Sequence, residues 1–263
     1  MADEPIDATV ADDRPAEQPA MSRRERARAA TVDEIKNTAL QLMREQGTTD
    51  FRFSDIARHM GMTAPALYRY FADRDELLTQ LIVDAFADLG AAVAEERDRL
   101  PKDDPGGRFF AVAQAYRRWA LGESQRFALI LGMPVPGYAA PDEGSVTEAA
   151  RGAMIELKSL FFDAIELGVL REPRFRDAPD PVCRFTAGRD DPMQPDDAPA
   201  LSAETFQAML HCWTALHGFT SLEAYGHLDW LPADAREGIF ETNMRVVADA
   251  AGLPPPANAA NSA

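Results

Sequence analysis

Two cysteines and four histidines in 263 residues leave little with which to build a disulfide framework or a metal centre. Cys183 and Cys212 lie far apart and read as free thiols in a reducing compartment, one in a loop and one on a helix. His211 and His217 are six residues apart and fall on different helix faces, and His227 lies beyond a glycine. No H-x-x-x-H pair or clustered Cys/His spacing occurs, so neither a metal site nor a cofactor is expected. There is no run of about 18 or more uncharged apolar residues, which argues against a membrane span. The opening "MADEPIDATVADDRPAEQPA" is acidic and lacks the apolar stretch of a secretory signal, so the expected location is the cytoplasm. Few segments alternate as strands do, and no internal repeat is visible. Nucleophile motifs, phosphate loops and cofactor fingerprints are also missing, and no catalytic residue is assigned. A helical enzyme using Glu123, Glu156, Glu166 and His217 is a rival reading that no motif supports.

What is present is helix and unevenly placed charge. A hydrophobic content of 46% with 27% charged residues supplies ample core for a soluble globular chain. The formal net charge is -16, yet residues 22–75 carry ten Arg and Lys against eight Asp and Glu, a balance of +2. Residues 1–21 contribute -5 and the remainder -13. An acidic body discourages adhesion to polyanions, while a local basic surface can still bind one.

Residues 1–21 hold little to bury and are expected to be a disordered acidic tail. "SRRERARAA" follows with Arg23, Arg24, Arg26 and Arg28. It is either a solvated first helical turn or a basic arm along a phosphate backbone. Thr31-Val-Asp-Glu34 has capping-box form, and Ile35, Ala39, Leu42 and Met43 repeat at helical spacing up to Gly47. A second helix is expected from about Ser54 to Met60, ending at Gly61, and a third of two to three turns from Thr63. A fourth opens with Asp73 and Glu76 in capping-box register and runs through Leu89. Short helices joined by a glycine-containing turn suggest a helix-turn-helix unit over 22–80.

Beyond Pro101 the chain stays helical, and 81–252 is expected to form a larger bundle. Phe109, Val112, Tyr116 and Trp119 recur at helical spacing, "SQRFALIL" is short and apolar, and "GMPVPGYAAPDEG" is a proline-rich loop. A long amphipathic helix spans 145–168. Residues 171–202 show almost no periodicity and are either a mobile loop or an extra packed excursion. Two helices, about 203–226 and 235–251, precede a Pro/Ala/Asn tail at 253–263 that is expected to be disordered. The fold class is all-α.

The third helix carries the chemistry. Thr63 is a good N-cap whose hydroxyl can also face a phosphate, and Pro65 sits in the first turn, where its missing N–H costs nothing. Ala64, Pro65 and Ala66 form a small apolar tip able to approach thymine methyls, and Arg69 can bond guanine O6 and N7 bidentately. Tyr68 and Tyr70 can donate to phosphates, Arg74 is placed for another, and Leu67 and Phe71 at i and i+4 must point inward.

"FSDIARHMGMTAPALYRYFADRDELL" resembles the DNA-binding region of tetracycline-repressor-type (TetR family) regulators in Ile56-Ala57, Gly61, Leu67-Tyr68, Phe71 and Leu77-Leu78. The resemblance covers roughly 30–80. It implies that Ser54, Thr63, Ala64, Pro65, Ala66, Tyr68, Arg69, Tyr70 and Arg74 face DNA. Arg52 departs from it, standing where Ser or Thr often caps the second helix; either Ser54 caps a shorter helix or Arg52 meets a phosphate. "CWTALHGFTSLEAYG" looks like the tryptophan-histidine-glycine signature of one TetR-type C-terminal domain, and "YRRWALGESQRFALILGMPVPGYAAP" agrees with the same subgroup.

By that resemblance the chain is a homodimer on a palindromic double-stranded DNA operator, its last two helices forming a four-helix interface. A small-molecule effector is implied, making a ligand-relieved repressor the leading expectation. A ligand-responsive activator and a protein-interaction module are the alternatives. Pocket candidates are Phe109, Tyr116, Trp119, Phe127, Met133, Met154, Phe161, Trp213 and His217, each of which could equally be core.

Overall fold

The computed structural model describes residues 22–139, 144–188 and 201–257. The acidic segment 1–21, residues 140–143 of the proline-rich loop, residues 189–200 and the end of the C-terminal tail lie outside that range. Ten helices and no strand occur among the described residues.

Four helices build the N-terminal head: α1 (Arg23–Gln46), α2 (Phe53–His59), α3 (Ala64–Leu67) and α4 (Arg74–Asp98). The first begins earlier than Thr31. Ser22 and Glu25 form a reciprocal capping box, and the Arg/Ala-rich stretch behind them propagates as good helix formers do. Thr31 lies inside the helix and donates its hydroxyl to the carbonyl of Ala27 at 3.0 Å. The basic segment is therefore the first two turns of α1 and not an extended arm. Arg52 occupies the N-cap of α2 without a side-chain capping bond, and Ser54 falls within the first turn. Gly61, at φ +64°, supplies the left-handed residue that turns the chain into α3. That helix is a single α turn, not the two to three expected; tighter bonds continue it, from Arg69 N to Ala66 O (3.4 Å) and Tyr70 N to Leu67 O (2.8 Å). Asp73 caps α4 by accepting from Glu76 N.

Six helices follow: α5 (Pro105–Gly122), α6 (Ser124–Leu131), α7 (Ser145–Glu166), α8 (Asp180–Gly188), α9 (Ala203–Ala224) and α10 (Ala233–Ala250). The eighth lies inside the segment that read as aperiodic, so Cys183 is on a helix there, and exposed. Its apolar signal is only Val182 and Phe185 behind Pro181, too short to register as a period, yet the Phe185 ring packs 5.4 Å from that of Phe206. The tail also departs from expectation. Leu253 is buried, Arg171 donates its N–H to Gly252 O at 2.9 Å, and Ala257 N donates to Asp104 Oδ1 at 3.2 Å. Gly106 on α5 makes that approach feasible, since a Cβ there would stand 2.1 Å from Pro254 O.

Two hydrophobic cores result. One, in the body, is centred on Phe109, Phe127, Phe161 and Phe240. The other lies in the head around Ile35, Ile56, Leu67, Phe71 and Leu78, and it also takes in Leu129, Val135 and Ala153 from the body. The helix shared between them, α4, is long and apolar enough to cross a membrane by length and composition alone. It packs against α5, α6 and α7, as a core helix does.

Candidate nucleic-acid interface and effector body

Leu67 and Phe71 are fully buried, which fixes how the intervening residues face. Thr63, Pro65, Tyr68 and Arg69 are exposed, and Ala64, Ala66 and Tyr70 are half-buried. Tyr68 rests its ring 5.3 Å from that of Phe53 and still leaves 57% of its surface in solvent. Thr63 holds the N-cap of α3 without a side-chain capping bond. Arg52 and Ser54 are exposed at the start of α2, which packs against α3. The result is a polar ridge of hydroxyls and two guanidiniums, those of Arg52 and Arg69, on a buried apolar base, the form suited to entering a groove.

Arg23, Arg24 and Arg26 are exposed on the first turns of α1. Arg28 behaves differently: its Nη1 donates to the carbonyl of Arg69 at 3.0 Å, and its guanidinium lies 5.1 Å from the centre of the Tyr70 ring. Arg74 departs from the expected phosphate contact. Its Nε donates to Phe51 O at 3.2 Å, its other nitrogens pair with Asp50 and Asp75, and the group lies over the Phe51 ring. Two carboxylates and a carbonyl already hold it, so it ties the loop before α2 to the start of α4.

In the body, Phe109, Phe127 and Phe161 are wholly buried, with Tyr116 and Trp119 nearly so, and all five belong to one packed core. Met133 is no lining residue: α6 is capped by Gly132, Pro134 follows, and the side chain between them is 84% exposed. Met154 and Trp213 line one cleft of about 160 Å³ between α7 and α9, which is mostly apolar and is completed by Leu157, Lys158, Phe206, Met209 and Leu210. His217 lies beside it, stacked on Trp213 at 5.3 Å and 12°, with Nδ1 2.9 Å from the Tyr116 hydroxyl. Burial pushes the imidazole pKa down and the Tyr116 phenol up, so both are held neutral and share one hydrogen bond.

The four residues of the enzyme reading have other partners or none of that kind. Glu156 pairs with Arg97, Glu123 lies 3.6 Å from Arg126, and Glu166 is exposed at the end of α7. Among the described residues no group of three or more His, Cys, Asp or Glu could hold a metal.

Comparison with known proteins agrees with this geometry. Residues 35–81 match the model for bacterial regulatory proteins of the tetR family, and 109–247 match that for the tetracyclin repressor-like C-terminal domain. The chain belongs to the TetR family of regulators. The HTH-type transcriptional regulator Rv1816 of Mycobacterium tuberculosis (strain ATCC 25618 / H37Rv) is 37% identical over 149 residues, 57% of this chain and 62% of that protein. The chain thus spans about 62% of the length of the curated relatives it first matches. The crystal structure of SCO4313 superposes with a TM-score of 0.67 at 32% identity, covering 86% of this chain and 98% of that one. A protein from Rhodococcus sp. RHA1 shares the fold, with a TM-score of 0.58 at 23% identity over 87% of this chain and 98% of that one.

Within this TetR-type body, sequence reasoning missed a buried polar network. Arg117 on α5 donates to both carboxylate oxygens of Glu223 on α9, at 2.6 and 2.8 Å, pairs with Glu237 on α10, and lies over the Phe240 ring. Gln114 also donates to Glu237, and these two donors, Arg117 first, hold that carboxyl below its usual range. Arg117 sits beside Arg118 in "YRRW", and nothing in that pair of identical residues marks one as buried. For Arg28 a signal was available, because residues 28, 32, 35, 39 and 42 form one helical stripe that places it over the head's core.

Proposed function

We propose that this TetR-family chain is a homodimeric repressor that reads a palindromic operator through its α2–α3 ridge and releases it on binding a small apolar or amphipathic molecule. The observation that carries the reading is the ridge itself. Thr63, Tyr68 and Arg69 present hydroxyls and one guanidinium from a short helix anchored in the core through Leu67 and Phe71. Arg69 is the base-reading group, with Thr63, Ser54, Tyr68 and Tyr70 setting register on phosphates. Arg23, Arg24, Arg26 and Arg52 add phosphate attraction on a head that is locally basic, while the negative charge of the body disfavours its own contact with DNA.

Two further observations support the dimer and the effector. Leu210, Thr214, Gly218 and Leu222 run along α9 at four-residue spacing, and Ile239 and Val246 lie on α10; the four large residues are all exposed. A Cβ on Gly218 or Gly238 would meet open space, so a second copy can pack its helices closely there. The cleft lined by Met154 and Trp213 offers a mostly apolar site, with Lys158 on its wall and the Tyr116–His217 pair beside it, and such chemistry suits an apolar or amphipathic ligand. Release would follow if the ligand favours a body conformation that misplaces the two heads.

The test is binding selection from random duplex DNA, followed by titration against salt. A palindromic motif whose affinity falls steeply with salt supports the reading. Absence of DNA binding at low salt, to selected duplexes and to the upstream region of its own gene, overturns it.

A further inference from the structure

We propose that Arg28 is a positioning residue of the reading head and not one of its phosphate contacts. From α1 it fixes the backbone at Arg69, and with it the direction in which Arg69 meets a base. The inference rests on the DNA-binding reading above and adds a residue that determines how sharply the sequence is read. Its basis is the shortness of α3. One α turn, two tight bonds and a closing bond from Phe71 N to Leu67 O (3.1 Å) leave the carbonyls beyond Leu67 without intrahelical donors. The Arg28 guanidinium supplies one, donating to Arg69 O at 3.0 Å from 41 residues away in sequence. Its face meets the Tyr70 ring at 5.1 Å, so one rigid planar group holds two successive residues of the ridge.

Among the described residues Arg23, Arg24 and Arg26 make no such contacts, although they belong to the same basic run. The difference follows from helix geometry. Arg28 stands one turn before Val32 on the stripe that continues through Ile35 and Ala39, and that stripe faces the head's core. A bidentate contact to guanine needs two hydrogen bonds at once, and each weakens steeply as its angle closes. A backbone free to tilt at Arg69 would keep one bond and lose the other. Affinity for DNA in general would survive while discrimination fell.

The experiment compares wild type with Arg28→Ala, Arg28→Gln and Arg24→Ala, on the selected operator and on operators changed at the base pair that Arg69→Ala ceases to read. Arg28→Ala is expected to keep the wild-type dependence of log affinity on log salt while discrimination falls by about fivefold or more. Arg28→Gln, which is neutral but can still donate to Arg69 O, is expected to recover much of the discrimination. Arg24→Ala is expected to do the reverse, lowering the salt slope by about 0.9 per reading head and sparing discrimination. In the free protein, amide exchange at residues 69–71 should quicken in Arg28→Ala and return toward wild type in Arg28→Gln. An Arg28→Ala slope reduced by about 0.9 per head with discrimination intact would make Arg28 a phosphate contact and overturn the proposal. Arg28→Gln indistinguishable from Arg28→Ala, or unchanged amide exchange, would overturn it as well. Wild type that binds no selected DNA brings down the DNA-binding reading and this inference together, whereas the other outcomes remove only the brace.

Discussion

In the head, Arg23, Arg24, Arg26, Arg52 and Arg69 stand exposed around a short helix, whereas in the body Arg108 and Arg117 are buried beneath carboxylates from other helices. The residue type is the same and its use is opposite. Arg108 joins α5 to Asp98 and to Asp163 of α7, and Arg117 joins α5 to α9 and α10. Those guanidiniums are neutralised within the chain and cannot attract an anion. The head has ten bases and eight acids over residues 22–75, a surplus of two, and its exposed arginines are available to a polyanion. Local balance and burial, not total charge, separate a binding arginine from a structural one.

The comparison is broken most forcefully by removing a carboxylate from the body. Glu223→Ala leaves Arg117 buried with half its partners gone, and chemical denaturation should show a loss of about 3–5 kcal/mol. Arg117→Met combined with Glu223→Leu should recover most of that loss, because an apolar pair of similar volume carries no desolvation cost. Arg24→Ala in the head should change stability by no more than about 0.5 kcal/mol. Equal losses at Glu223 and Arg24 would erase the distinction.

Arg69→Ala sharpens the same contrast from the other side. Its stability should match wild type, since the side chain is exposed. Its sequence preference should weaken at one base pair per half-site, by about 1–3 kcal/mol each. An unchanged motif in binding selection would remove Arg69 from base reading.

The head was more legible in sequence than the body, for physical reasons. Leu67 and Phe71 had to point inward by spacing alone, and Pro65 had to open a helix, so the outward residues followed by elimination. The start of α1 was misplaced because two capping boxes nine residues apart, at Ser22 and Thr31, have the same form, and only helix continuity through Arg28 decides between them. Core and pocket residues in the body share one composition. Phe161 and Trp213 look alike in periodicity, yet one is sealed in the core and the other lines a cleft, a difference set by which helices meet. Likewise the packed tail at Leu253 depends on Gly106, some 147 positions earlier, and no local pattern links them.

The two regions also share structure, which bounds how far the contrast extends. Val135 and Leu129 belong to the head's core, and the Thr79 and Tyr138 hydroxyls meet at 2.9 Å between α4 and the loop after α6. Tyr138→Phe should cost about 1 kcal/mol. In wild type, helix loss followed by circular dichroism should coincide with tryptophan fluorescence, whose three reporters all lie in the body. Two separated transitions would mean that the head unfolds on its own, with Leu129 and Val135 contributing little to its core.

The smallest expected effect concerns pH, and it isolates the body. Burial lowers the His217 pKa from its ordinary 6.5, so between the folded value and 6.5 the unfolded chain binds a proton that the folded chain refuses. Stability from this group is therefore complete above about pH 6.5 and is lost as the pH falls from there through the folded value. Glu237 acts in a separate, more acid window. Its carboxyl is held below 4.5 chiefly by Arg117, so its contribution persists above that value and disappears only as the pH falls through the folded one. Unfolding of wild type and His217→Gln at about pH 7.5 and about pH 5.5 should thus show wild type losing more stability on acidification than the variant, while Glu237 stays ionised throughout. The variant keeps a group able to bond the Tyr116 hydroxyl, so the comparison reads the proton and not the loss of packing. Identical pH dependence in the two proteins would mean that the imidazole is solvated and protonates freely, and the neutral site beside Trp213 would then lose its chemical basis.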